Sequence, residues 1–193
     1  MDKIGPEIPN LMHSIQIGFP ELAAAGSETH LKILRQWLKH CDDNHPKCQP
    51  SDTASLPTRL IDVGDRDSTT ITLYETEAND SIKYIALSHP WGNPPHFCTF
   101  SSNIEEYKQK IEFGKLPATF QNAVTITREL GFRYLWIDSI CIIQGSDGDF
   151  NKEAKRMEDV FSSAYCVLAA SSASGGSRSV SASIPSPAGC PGT

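Results

Sequence analysis

Five residues of this chain carry side chains from which a reactive cleft could be built: His89, Trp91, Asp138, Cys141 and Glu153. They supply an imidazole for proton transfer, an aromatic wall, two carboxylates and a thiol. Each also has a plain structural use. Asp138 interrupts an apolar run, where an acid often serves as a hydrogen-bond acceptor, here for the backbone of the 89–93 loop. Cys141 sits among Ile140, Ile142 and Ile143 and reads first as a small buried hydrophobe, because a nucleophilic thiolate needs an accessible, electropositive setting. His89 precedes a proline and can be solvated or bonded to backbone. Trp91 can cap a sheet end, and Glu153 can be a dipole partner in the first turn of a helix. A second constellation is Cys41, His45 and Cys48, three soft ligands within eight residues. They could hold zinc if a fourth ligand came from elsewhere. Otherwise Cys41 continues a helix stripe while His45 and Cys48 fix the loop after it.

The elements that must position these residues follow from periodicity. Ser27 is a candidate N-cap for a helix to about residue 40, with Leu31, Leu34, Leu38 and Cys41 on one face. Two short strands, 59–63 and 70–75, flank a turn-rich stretch and form a hairpin or edge pair. A strand over 82–88 stops at His89-Pro90-Trp91-Gly92-Asn93-Pro94-Pro95, where three prolines forbid regular pairing. Pro117 marks the first turn of a helix that ends at Gly131, and the apolar run 134–143 predicts a strand covered on both faces. Asn151 can cap another helix with Met157, Val160 and Phe161 on its inner stripe, before a last strand over 165–170. The order β-α-β-α-β predicts an α/β fold: a mostly parallel sheet with flanking helices. In such a sheet ligands bind beyond the carboxyl ends of the strands, here Ser88-His89, Asp138-Ser139 and Ala170-Ser171. Glu153 then falls on the side where Asp138 emerges, and the polar groups are expected to share one cleft.

The 193 residues suffice for one such core but not two. A net charge of −6 and a pI near 5.5 argue against nucleic acid as partner. No apolar run approaches the ~20 residues that span a bilayer, and the N-terminus lacks the basic start of a signal peptide. The expected location is therefore cytoplasmic, with the six cysteines as thiols or ligands and the sequon at Asn79 silent. Residues 1–40 read as an irregular arm followed by a helix. Residues 171–193 contain eight Ser, four Gly and three Pro, so the 176–193 tail is expected to stay disordered, as the stump of a longer protein. No internal repeat is visible.

Three blocks carry a resemblance: Leu87-Ser88-His89-Pro90-Trp91-Gly92; Leu116-Pro117-Ala118-Thr119-Phe120; and Tyr134-Leu135-Trp136-Ile137-Asp138-Ser139-Ile140-Cys141, followed by Glu153 and Met157. In order and spacing they resemble the fungal heterokaryon incompatibility (HET) domain, over roughly residues 41–175. His89 stands where that family usually has tyrosine, Phe161 replaces a common tyrosine, and Asn151 or a neighbour lies where a tryptophan often precedes the glutamate.

The resemblance implies a role in fungal non-self recognition, in which such a domain triggers programmed cell death. It also implies a flavodoxin-like, three-layer architecture similar to the Toll/interleukin-1 receptor (TIR) domain. Some relatives of that type cleave the nicotinamide–ribose bond of NAD with a helical glutamate. That resemblance would make Glu153 catalytic; Asp138 and His89 are the further catalytic candidates that the strand-end cleft itself offers, with Ser88, Trp91 and Gly92 on its ligand side. The carboxylate would stabilise an oxocarbenium-like ribosyl cation while Trp91 or His89 packs on a ring. Three functions follow as expectations: a signalling domain that works by assembly with itself or another protein; an NAD hydrolase holding a nucleotide ligand; and a small-molecule enzyme of fungal secondary metabolism using His89, Asp138 or Cys141.

Overall fold

The computed structural model of the chain describes residues 26–46, 56–66, 68–92, 96–171 and 179–183. The expected arm over 1–25, Cys48, the Asn93-Pro94-Pro95 stretch and the rest of the tail lie outside the described residues. Helix α1 (Glu28–Asn44) begins as its sequence predicts, with the Ser27 hydroxyl accepting the His30 N–H at 3.2 Å. Its Leu31, Leu34 and Leu38 are buried, spaced three and four apart on one face. Strands β1 (Arg59–Asp62) and β2 (Thr72–Glu75) form the expected antiparallel pair.

The chain then runs through β3 (Tyr84–Ser88), β4 (Thr99–Phe100), α2 (Ile104–Gln109), α3 (Ala118–Glu129), β5 (Tyr134–Ile137), α4 (Asp138–Cys141), β6 (Ile143–Gln144), α5 (Phe150–Glu153), α6 (Met157–Ser163), β7 (Cys166–Ser171) and β8 (Ser179–Ser183). The main sheet has the order β2-β1-β5-β3-β7-β8, and β4 pairs with β6 in a separate ribbon.

The fold is α/β, but the sheet is mixed rather than mostly parallel. In this sheet, among the described residues, β5-β3 and β3-β7 are parallel while β2-β1, β1-β5 and β7-β8 are antiparallel. The expected mostly parallel sheet is therefore corrected to a mixed one in which parallel pairing is confined to β5, β3 and β7. The reason is connectivity: β3, β5 and β7 are joined through helices, whereas β1 enters the sheet from the hairpin side and is tied to β5 through Ile61↔Leu135. Five residues of the expected disordered tail are also strand, because β8 pairs along β7 from Val167↔Ser183 to Ser171↔Ser179. Ladder hydrogen bonds are backbone bonds and need no large side chain.

Helices cover both faces of the central strands. Tyr84 and Trp136 lie on one face, where the Tyr84 hydroxyl donates to the Val160 carbonyl of α6 at 2.6 Å and Trp136 meets Phe161 edge-on at 5.3 Å. His89, of opposite parity along the chain, meets Phe120 of α3 with ring centroids 4.9 Å apart. Between them Ile85, Leu87, Leu135 and Ile137 are at most 1% exposed.

The expected 134–143 strand ends at Ile137, and α4 takes over. The Asp138 carboxylate accepts the Ser139 N–H at 2.7 Å and the Asp138 carbonyl accepts the Ile142 N–H at 3.0 Å, a local alternative to strand pairing. Ile140, Cys141 and Ile142 stay buried, so the apolar run continues while the backbone changes state. The helix expected from Asn151 is likewise broken: its N-cap is Asp149, and a 3-10 turn over Ala154–Arg156 separates α5 from α6. Among the described residues no helix is long and apolar enough to cross a membrane.

Candidate functional site

The carboxyl ends of β3 and β5 lie side by side, with Leu87 opposite Ile137, so the residues that leave those strands meet. Asp138 is held by three N–H groups. Its Oδ1 accepts from the Ser139 backbone at 2.7 Å and lies 3.0 Å from His89 Nε2, while its Oδ2 accepts from Trp91 Nε1 at 2.7 Å. Nδ1 of His89 faces the Pro90 carbonyl at 3.1 Å, so both ring nitrogens point at acceptors. That geometry suits the imidazolium, which donates twice. Burial of the ring works against protonation and is the largest single influence. The Asp138 bond and charge, with the Pro90 carbonyl, outweigh it and raise the His89 pKa above its usual value.

Trp91 closes this group from outside. Its indole is 37% exposed and meets the His96 ring at 5.4 Å. Gly92, which follows, has φ 71°, a left-handed conformation that a side chain would strain. In front of Trp91 opens a cleft of ≈ 630 Å³, lined by Trp91, Asp138, Gln144, Gly145, Phe150, Asn151 and Met157. That volume lies in the usual range for a small-molecule site. The far wall comes from a tight loop between β6 and α5. The Ile143 N–H donates to Asp149 Oδ1 at 2.8 Å and the Asp149 N–H returns to the Ile143 carbonyl at 3.1 Å. Gly148 passes so near that carbonyl that a Cβ there would collide with it.

Of the expected site residues, the structure brings His89, Trp91 and Asp138 together. Ser88 is exposed at the end of β3, and neither it nor Gly92 is among the residues lining the cleft. Glu153 stands apart from the cleft. It is 5% exposed, accepts the Thr58 hydroxyl at 2.7 Å and lies 3.6 Å from Arg156 Nη1 and 3.9 Å from Lys152 Nζ. Asn151 lines the cleft, and two helical residues on the chain has turned about 200°, which carries Glu153 inward. Cys141 is buried, and loss of solvation raises its thiol pKa to about 12, so it is a neutral core group. Cys41 is half-buried at the end of α1, and Cys48 lies outside the described residues. Among the described residues no group of three His, Cys, Asp or Glu could hold a metal ion.

Gln144, Gly145 and Phe150 were not legible as site residues. The strand assumed to run through residue 143 hid the loop that carries them, and the sole signal was the turn-forming 145–149 stretch.

The fold and site define an α/β domain whose strand-end cleft is formed by Trp91, a multiply bonded Asp138 and a helix-capping loop. A family model, Heterokaryon incompatibility protein (HET), matches residues 84–187, and the chain belongs to that family. Heterokaryon incompatibility protein 6, OR allele, from Neurospora crassa is 28% identical over 104 residues, which cover 50% of this chain and 15% of that protein. No solved structure matches the chain.

Proposed function

We propose that this chain acts in heterokaryon incompatibility, as a non-self recognition module that triggers programmed cell death through assembly with a second copy or with another protein. The observation that carries this reading is the family match over 84–187, the segment that contains every residue lining the cleft. The test is inducible expression of the full chain in a filamentous fungus, scored by viability, beside light scattering of the purified protein over a range of concentrations. The expected result is loss of viability and concentration-dependent self-association, with killing abolished by Trp91→Ala and by Asp138→Ala. Killing by a strict monomer would overturn assembly, and indifference to both variants would overturn the role of the cleft.

The volume of the cleft and its exposed Trp91 and Phe150 favour a second reading, in which it holds a nucleotide-sized ligand such as NAD. In that case Asp138, Gln144 and Asn151 are the polar side chains that line the ligand's cleft, the His89 imidazolium acts through its bond to Asp138, and Glu153 acts only from behind the wall. Release of nicotinamide from NAD, compared between the native chain, Asp138→Asn and Glu153→Ala, tests it. No release at assembling concentrations removes hydrolysis.

A further inference from the structure

One buried guanidinium touches both walls of the cleft without lining it. Arg59 opens β1 and is 4% exposed. Its Nε donates to the Cys141 carbonyl at 2.8 Å, the last residue of the α4 turn that begins with Asp138. Its Nη2 donates to Asp149 Oδ2, in an ion pair 90 residues apart in sequence. Asp149 is the residue that closes the β6–α5 loop and caps α5, its carbonyl accepting the Lys152 and Glu153 N–H groups at 2.9 and 3.0 Å. The forked side chain therefore sets α4, which presents Asp138, against the loop that presents Phe150 and Asn151. Beside it, Arg156 donates to Thr58 Oγ1 at 3.0 Å and to the Leu56 carbonyl at 2.7 Å, so the lead into β1 also grips the segment after α5.

We infer that Arg59 is a positioning residue that fixes the separation of the two cleft walls, acting through Cys141 and Asp149 and not through contact with a ligand. A planar fork with donors in two directions suits this role, whereas a lysine presents one charge and cannot hold both partners. The inference goes beyond the functional reading above and is read out without it.

The test uses Trp91 as reporter in the full chain carrying Trp37→Phe. Trp136, at 2% exposure, serves as the buried internal standard. In Arg59→Lys and Asp149→Asn, acrylamide quenching of Trp91 should rise about twofold while Trp136 stays protected and the melt stays cooperative, as expected of local rather than global opening. The double variant should open the cleft no further than either single one. Unchanged Trp91 quenching in folded Arg59→Lys overturns the inference. So does parallel exposure of Trp136, or loss of a cooperative melt in both single variants, since either marks a general structural ion pair. If the native chain proves harmless to cells, the functional reading fails while the quenching result stands.

Discussion

Asp138 and Glu153 are both carboxylates of four-residue helices, and they end in opposite settings. Asp138 opens α4 at a strand end, takes its hydrogen bonds from an indole, an imidazole and a backbone amide, and keeps one side on the cleft. Glu153 closes α5, points into the protein, and is surrounded by Thr58, Arg156 and Lys152. The first set of partners leaves room for a ligand between Trp91 and Phe150. The second fills the space and docks a helix. Side-chain type is the same in both regions; direction of exit from the backbone and the identity of the neighbours separate a cleft-facing acid from a buried clamp.

Four substitutions or conditions strain that contrast. The largest effect belongs to the ion pair behind both walls: Arg59→Met strands Asp149 and should cost about 3–5 kcal/mol in urea denaturation, since removing one partner leaves an uncompensated charge. A cost near zero would place the ion pair with surface pairs. Glu153→Gln keeps the shape but weakens the hydrogen bond accepted from Thr58 and removes the charge facing Arg156, for an expected loss of about 1–3 kcal/mol by the same measurement.

On the cleft side, Asp138→Asn should cost only about 1 kcal/mol, because two N–H donors can still be accepted. Its distinctive result is an NMR titration in which the His89 pKa falls from its raised value. If that pKa does not move, Asp138 is not what holds the imidazolium.

The smallest effect is a pH dependence. His89 titrates above its ordinary 6.5 in the folded chain, so its contribution to stability is complete below 6.5 and disappears as pH rises through the raised folded value. Melting temperature followed upward from pH 6 should decline through that window, and His89→Gln should remove the decline. Stability rising with pH in the native chain, relative to the variant, would contradict the doubly donating imidazolium.

Much of the strand-end site was legible in sequence because it depends on where elements stop. The prolines after His89 end β3 whatever surrounds them, and an acid after Tyr134-Leu135-Trp136-Ile137 must emerge at an edge, so His89, Trp91 and Asp138 could be placed together from local rules. The stripe of α1 and the hairpin of β1 and β2 were legible for the same reason. The α4 turn was not, because Ile140, Cys141 and Ile142 are apolar in either a buried strand or a buried helix, and the choice is made by the bonds that Asp138 forms with its own backbone.

By itself, the sequence determined an α/β core, its cleft-forming strand ends and its membership of a family, since hydrophobic period, breakers and motif order are local properties. Only tertiary structure decided that β1 meets β5 antiparallel, that Glu153 turns away from the cleft, and that Arg59 joins α4 to the loop behind β6. Those outcomes rest on contacts between residues roughly 70 to 95 positions apart, such as Ile61 with Leu135, Arg59 with Cys141 and Asp149, and Thr58 with Glu153, and long-range partners leave no period in the chain.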